Sequence, residues 1–360
     1  MKICIILGTR PEIIKLSPLI QLLKKAKMNF FIIHTNQHKI YSMERQFFKD
    51  FKIKPDYILS TNKDFLSESI NQILKISTKE KPDYIINQGD TYSVLASSIA
   101  FKNIEKNKCK LVRLEAGLRS YDRSMPEEIN RIIADHYGDI LLTPTKISEK
   151  NLMRENIKKS KIYVVGNTIS DAIKVNKTKI NSKILGKYKL KKKKFYLLTL
   201  HRPDMVDKKK NIIKILNFFS TLLKKENIEM IFPIHPRTKN NLKNFSFKNL
   251  NKIKIINPCN YFDFLSLQKN AKLVFTDSGG IQEESCILKT PCITIRKNTE
   301  RPETLKVKSN ILSGYSLNKI KIAIKKSNTT RVNWRNPYGF NVSNKILKIL
   351  KNDFLKNEKI

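Results

Sequence analysis

Twice along this chain, short apolar runs alternate with amphipathic stretches, and that repetition leaves few folds open. Lys2–Leu7, Phe30–His34, Tyr84–Gln88, Leu111–Leu114, Ile140–Thr143 and Ile162–Val165 read as strands. Between them, segments such as Ile13–Lys25 and Ser67–Ile76 carry apolar residues at helical spacing. Strand, helix, strand in repetition calls for a parallel sheet covered on both faces. The pattern then restarts with Phe195–Leu200, Met230–Ile234, Ile253–Ile256, Leu273–Thr276 and Cys292–Ile295. Asp171–Lys194, rich in Lys, Asn and Ser, reads as a helix plus linker. The expectation is an α/β fold with two Rossmann-like, doubly wound domains, residues 1–170 and 171–341, facing a central cleft. A length of 360 residues suits two such domains. Pro337-Tyr338-Gly339 marks a turn before a last helix, Val342–Leu355, within a 342–360 segment expected to pack back on the first domain. Ligands of open parallel sheets bind beyond the carboxyl ends of the strands, so functional residues are expected directly after strands.

Charge has to be settled first, because the net charge is +40. Such an excess can signal nucleic acid or an acidic membrane. Here 58 of the 71 basic residues are Lys, spread among Ile and Asn, as at Lys191 to Lys194 and Lys208 to Lys210. No RNP-like aromatic motif, zinc-finger spacing or basic heptad helix occurs. Lys is read as the default surface residue, with no nucleic-acid partner. No apolar stretch reaches the length of a membrane span, and Met1 to Gly8 reads as a buried first strand, not a secretion signal. The five Cys form no CxxC pair and read as reduced thiols of a cytoplasmic protein. In a chain that uses Lys by default, Arg and the 10 Gly stand out. Arg offers a planar fork for phosphate or carboxylate that Lys cannot imitate.

The first series carries three motifs. Gly8-Thr9-Arg10-Pro11-Glu12 has capping-box spacing, with Pro suited to a first helical turn. It places Arg10, and Lys15 a turn later, at a helix amino end where an anion can bind. A well-capped structural helix explains the same residues equally well. Gln88-Gly89-Asp90-Thr91 presents Asp90 at a strand end, where an Asp is more often a helix cap. Leu114-Glu115-Ala116-Gly117-Leu118-Arg119 puts Glu115 before a small-residue turn, a poor structural choice without a role. Met125-Pro126-Glu127-Glu128-Ile129-Asn130-Arg131 opens a helix whose dipole suits both Glu residues, and that structural reading is kept for Glu128. Asp90, Glu115 and Glu127 then share one domain face. Proton transfer to and from carbon needs such groups in unlike surroundings.

The second series opens with Leu200-His201-Arg202-Pro203, where His201 follows a strand directly, beside Arg202. Ile234-His235-Pro236-Arg237 repeats the pattern, with function and structure evenly placed. The strongest local signal is Phe275-Thr276-Asp277-Ser278-Gly279-Gly280-Ile281-Gln282-Glu283-Glu284. Its two glycines let backbone N–H groups of Ser278, Gly279 and Gly280 approach a diphosphate at a helix amino end. Glu284, a turn in, is placed to accept ribose hydroxyls. Thr299-Glu300-Arg301-Pro302-Glu303 offers Arg301 to the same anion. There is no zinc spacing, Walker loop or GxGxxG, so no metal and no cofactor is expected.

Taken in order, GTRPEIIKLSP, QGDT, EAGLRS, MPEEINR, TLHRP, TDSGGIQEE and TERPE resemble the non-hydrolysing UDP-N-acetylglucosamine 2-epimerase family. The resemblance runs from Gly8 to beyond Arg301. It implies the two-domain GT-B architecture, a cytoplasmic and usually dimeric enzyme, and interconversion of UDP-GlcNAc and UDP-ManNAc for surface polysaccharide precursors. It further implies that Arg10, Lys15, Asp90, Glu115, His201, Ser278, Gly279, Gly280, Glu284 and Arg301 contact the nucleotide sugar. Phe264, in Tyr261-Phe262-Asp263-Phe264, matches a residue beside the uracil. Asp90, Glu115 and Glu127 match the family's proposed acid–base carboxylates, and His201 a residue near the leaving diphosphate.

Two departures stand against the pattern. Arg113-Leu114 replaces the His-Val that often precedes EAGLR, which is expected to leave Glu115 in its role. Thr35-Asn36-Gln37-His38-Lys39 only partly resembles the segment that binds an activating second substrate in many members, so strong substrate activation is not expected. Three enzyme rivals remain: a UDP-2,3-diacetamido-uronic acid 2-epimerase, a GT-B glycosyltransferase using the same UDP site, and a hydrolysing epimerase whose motifs differ. A transferase would leave the Asp90, Glu115 and Glu127 set unexplained.

Overall fold

A computed structural model describes residues 1–37, 41–103, 109–243, 245–246, 250 and 252–358, without the side chains of 41–44 and 357. The chain divides into two compact units, Met1–Val175 with Tyr338–Ile360, and Asn176–Pro337. No described helix is long and apolar enough to cross a membrane.

The strands of the first unit are β1 (Lys2–Leu7), β2 (Asn29–His34), β3 (Tyr57–Ile58), β4 (Tyr84–Gln88), β5 (Lys110–Leu114), β6 (Ile140–Thr143) and β7 (Ile162–Val164). They form one sheet in the order β3-β2-β1-β4-β5-β6-β7, every pair parallel. Chain order reverses between β1 and β4, which is where a doubly wound sheet opens a ligand crevice. β1 and β4 are buried along almost their whole length, because helices cover both faces. Helix Arg10–Lys25 begins three residues after β1, with the capping box formed by Thr9 and Glu12.

The second unit holds β8 (Phe195–Thr199), β9 (Glu229–Pro233), β10 (Ile253–Ile256), β11 (Leu273–Thr276), β12 (Cys292–Thr294) and β13 (Asn310–Leu312). Their order is β10-β9-β8-β11-β12-β13, again parallel throughout, with the reversal between β8 and β11. Residues of β8 alternate between two apolar clusters: Tyr196 and Leu198 join one, Phe195 and Leu197 the other. Two-sided burial explains why these strands read as unbroken apolar runs in the sequence.

The expected strands are present with ends shifted by a residue. β3 and β13, two and three residues long at or near sheet edges, are additions. Residues 171–194 hold the end of helix Ile169–Val175, a 3-10 turn at Lys177–Lys179 and helix Lys183–Lys187. The last helix, Val342–Asn357, lies in the first unit against helices Arg10–Lys25 and Ile169–Val175. Asp171 Oδ2 caps its start, accepting from Ser343 N at 2.8 Å and Oγ at 2.9 Å. Gly166, at φ +105°, is required there, since a Cβ would collide with the Tyr338 carbonyl.

Candidate active site

In the first unit the candidate residues follow β1, β4 and β5, on both sides of the strand-order reversal. Glu115 is the hub. It sits one residue past β5, is buried, and adopts φ +60°, a left-handed conformation unfavourable for a residue with a Cβ. Lys15 Nζ reaches its Oε1 at 2.5 Å. Asn167 Nδ2 donates to Oε1 at 2.6 Å, and Gln88 Nε2 donates to Oε2. Lys15 therefore turns inward to the carboxylate, although spacing alone set it at the helix amino end. Arg10 does begin that helix, half-buried, its guanidinium 5.8 Å from the centre of the Phe47 ring.

Asp90 lies two residues past β4, whose last residue Gln88 is in register with Leu114 of β5, and keeps 30% of its side chain exposed. Arg131 forks onto Oδ2 through Nε at 3.0 Å and Nη2 at 2.5 Å, and Asn130 Nδ2 donates to the Asp90 carbonyl at 3.0 Å. The cap of the following helix is Thr91, not Asp90, which leaves the Asp90 carboxylate for other work. Glu127 occupies the first turn of helix Pro126–Tyr137, half-buried. Its neighbour Glu128 is buried and structural: it accepts from Ser120 N and Oγ, Tyr121 N and Arg131 Nη1. Arg131 thus ties the Glu127 helix to Asp90. The structure brings Asp90 and Glu115 to adjoining strand ends with unlike surroundings, one partly exposed and one buried.

Arg113, the departure flagged in the sequence, has no exposed surface. It donates to Asn87 Oδ1 at 2.8 Å and to the Gly89 carbonyl at 2.9 Å, and approaches Asp135 Oδ1 at 3.3 Å. Burial lowers its pKa, and the Asp135 carboxylate opposes that. The residue pins the turn that carries Asp90. Glu12 is also buried. It accepts from Gly8 N at 2.6 Å, Thr9 N at 2.8 Å and Thr91 Oγ1 at 2.6 Å, and burial raises its pKa to about 7. In the partly matching segment, Gln37 Oε1 accepts from Ser93 N at 3.1 Å and Oγ at 2.9 Å. His38 and Lys39 lie outside the described residues.

In the second unit the residues follow β8, β11 and β12. His201, 36% exposed at its side chain, comes two residues after β8. Its ring lies against that of His235, centroids 5.3 Å apart. His235 and Arg237 are used locally: His235 Nδ1 accepts from Arg237 N, and Arg237 pairs with Asp207 at 2.6 Å. Ser278 stands at the N-cap position of helix Gly279–Ile287, at the end of the β11 turn, without a side-chain capping bond. A Cβ on Gly279 would collide with Glu300 Oε1, whereas one on Gly280 would enter open space. The Gly280 backbone is therefore open to approach, as an anion at a helix amino end requires. Glu284 is buried beside Tyr261, whose phenol is raised well above its ordinary pKa by burial and then by Glu284. Phe264 is half-buried against the apolar cluster that also receives Ile281.

Arg301 is the residue expected to meet the same anion. It is buried, with Nε 2.5 Å from Glu283 Oε1, and Glu300 in turn pairs with Arg296 at 2.9 Å. A diphosphate there would have to share Arg301 with Glu283. Sequence reading missed Asn167 and Asp277, both of which hold candidate residues through contacts distant in sequence. Asp277 Oδ2 accepts from the backbone N of His201 and of Arg202, both at 2.8 Å. Each follows a strand end, the only signal available for them.

Comparison with known proteins places this arrangement. The UDP-N-acetylglucosamine 2-epimerase family profile matches residues 21–351. The UDP-N-acetylglucosamine 2-epimerase of Methanocaldococcus jannaschii is 45% identical over 97% of this chain and 99% of its own length. A crystal structure of a Methanocaldococcus jannaschii UDP-GlcNAc 2-epimerase in complex with UDP-GlcNAc and UDP superposes with a TM-score of 0.89 at 44% identity, covering 98% of this chain and all of that one. The UDP-2,3-diacetamido-2,3-dideoxy-D-glucuronate 2-epimerase of Pseudomonas aeruginosa is 32% identical over 87% of this chain and 88% of its own. The fold is that of two parallel, helix-covered sheets shared with these epimerases, and this chain belongs to the UDP-N-acetylglucosamine 2-epimerase family.

Proposed function

We propose that this chain is a non-hydrolysing UDP-N-acetylglucosamine 2-epimerase, an isomerase that interconverts UDP-GlcNAc and UDP-ManNAc. The observation that carries the reading is the pair Asp90 and Glu115, two carboxylates at adjoining strand ends with opposite surroundings. Inverting a carbon needs a proton removed on one face and returned on the other, and one carboxylate cannot serve both. The C2 proton goes to a carboxylate, its electron pair forms the C1–C2 double bond, and the C1–O pair leaves on UDP. Return of UDP to C1 with protonation of the opposite face of C2 completes the inversion. Glu127 is the third candidate for this proton traffic.

The second unit serves the nucleotide in this reading. Ser278, Gly279 and Gly280 hold the diphosphate by backbone N–H groups, with Arg301 and His201 opposing its charge. Glu284 takes the ribose and Phe264 lies beside the uracil. Arg10 and Lys15 complete the binding set, Lys15 acting through Glu115. The resemblance also brings a homodimer, a cytoplasmic setting and a role in surface polysaccharide precursors. The identity of 45% to a UDP-GlcNAc enzyme against 32% to the diacetamido-glucuronate enzyme favours the former substrate. The test is whether solvent hydrogen enters C2 of the sugar while UDP stays attached in the product.

A further inference from the structure

We infer that Asp277 is a positioning residue that fixes the proton of His201 on Nδ1, so that Nε2 is the ring nitrogen offered to the leaving diphosphate. The inference deepens the function proposed above and rests on His201 serving the diphosphate.

β11 lies beside β8, with Thr276 in register against Thr199, so Asp277 emerges next to Leu200 and His201. Its carboxylate has no exposed surface. The two oxygens do different jobs. Oδ2 takes both backbone donors, His201 N and Arg202 N, each at 2.8 Å. That contact alone fixes the course of the chain after β8. Oδ1 has no aligned donor among the described residues, yet His201 Nδ1 stands 3.2 Å away. A buried carboxylate oxygen without a donor is costly. A small rotation of the imidazole places an Nδ1–H on Oδ1 and removes that cost. The ring of His235, tilted at 38° with centroids 5.3 Å apart, packs against His201 and restricts other orientations.

A neutral imidazole carries one proton, and the partner of one nitrogen decides which. With Nδ1–H committed to Asp277, Nε2 alone remains to meet a ligand. As the diphosphate binds, Nε2 takes a proton from solvent, and the imidazolium, with Nδ1–H on Asp277, donates Nε2–H to the diphosphate oxygen that receives the electron pair of the breaking C1–O bond. A carboxylate holding a histidine in this way acts through orientation, without itself touching substrate. If Asp277 served only as a loop clamp, Oδ2 would suffice, and an amide oxygen would replace it.

Asp277→Asn separates the two roles. Its amide oxygen can keep both backbone N–H groups, while its NH2 faces Nδ1 and drives the ring proton to Nε2. Nitrogen-15 NMR of the histidine side chains reads this directly. The chain has five His, and a His201→Asn spectrum identifies the signal. The wild type is expected to show a protonated Nδ1 and a bare Nε2 without ligand, and Asp277→Asn the reverse. Turnover in Asp277→Asn should fall about 100-fold or more, because an NH2 facing Nδ1 denies the ring its second proton. A wild-type ring protonated on Nε2 overturns the inference without any variant being needed. So does an Asp277→Asn ring that keeps its tautomer, or one that switches with turnover intact. A wild type that carries Nδ1–H yet epimerises nothing overturns the proposed function instead, a result the spectra keep distinct.

Discussion

Lys15 and Glu115, one hundred residues apart, meet through Nζ and Oε1 at 2.5 Å in a place where both side chains are almost wholly buried. The pair couples the helix after β1 to the turn after β5, across the strand-order reversal. Glu115 there has a left-handed backbone conformation. Removing one partner of a buried pair leaves an uncompensated charge, at about 3–5 kcal/mol. Lys15→Met is expected to lower the unfolding free energy from a urea titration by such an amount and to lose turnover. Glu115→Gln keeps the shape and should retain UDP binding while turnover falls by about 100-fold. Near-normal epimerisation by Glu115→Gln would remove Glu115 from the proton-transfer set.

Arg113 makes a second buried hub, pinning the Gly89 carbonyl beside Asp90 and the Asn87 side chain. Its fork reaches three groups at once, and Lys cannot copy that geometry. Arg113→Met is expected to cost about 3–5 kcal/mol in a urea titration, and Arg113→Lys to recover only part of it. A Lys variant as stable as the wild type would show that charge alone, not the fork, is what the turn needs.

Glu12 gives a pH dependence with a definite sign. Burial raises its pKa from the ordinary 4.5 to about 7 in the folded chain. The folded state then binds this proton more tightly than the unfolded state does. Its contribution to stability is complete below the unfolded value and is lost as pH rises through about 7. The loss is roughly 3 kcal/mol. Glu12→Gln, which keeps an acceptor for Gly8 N and Thr9 N, should flatten this part of the profile. Urea midpoints of the two proteins from pH 4 to pH 8 should therefore converge at the acid end, and parallel curves would contradict the assignment.

The two glycines of the β11 turn are expected to part company. A methyl at Gly280 enters open space in an ordinary helical position, so Gly280→Ala should fold as well as the wild type or better, by up to about 1 kcal/mol. The same methyl blocks the backbone from a diphosphate, so UDP affinity should fall at least tenfold, about 1.4 kcal/mol. Gly279→Ala pushes on Glu300 and should lose stability. Calorimetry with UDP that finds full affinity in Gly280→Ala would place the diphosphate elsewhere.

Much of the fold was legible beforehand because parallel strands buried on both faces leave continuous apolar runs, and several of these runs end where a candidate residue begins. β1, β4, β8 and β11 are all of this kind. β3 and β13 were not, since two or three residues at or near an edge carry no periodicity. The capping box of Thr9 and Glu12 and the structural role of Glu128 follow from local spacing, and the structure agrees with both. Lys15, Arg113, Asn167 and Asp277 act across distances of 22 to 100 residues. Such contacts depend on strand order, which spacing does not encode. Arg301 shows the limit from the other side: its position was legible, but its ion pair with Glu283 was not.

The central claim is epimerisation through C2 proton exchange with UDP retained in the product, and proton NMR with UDP-GlcNAc in heavy water tests it most directly. The account predicts UDP-ManNAc bearing deuterium at C2, together with deuterium appearing in the remaining UDP-GlcNAc. Free UDP and ManNAc as the products, or no exchange at C2 by a protein that binds UDP, would contradict it.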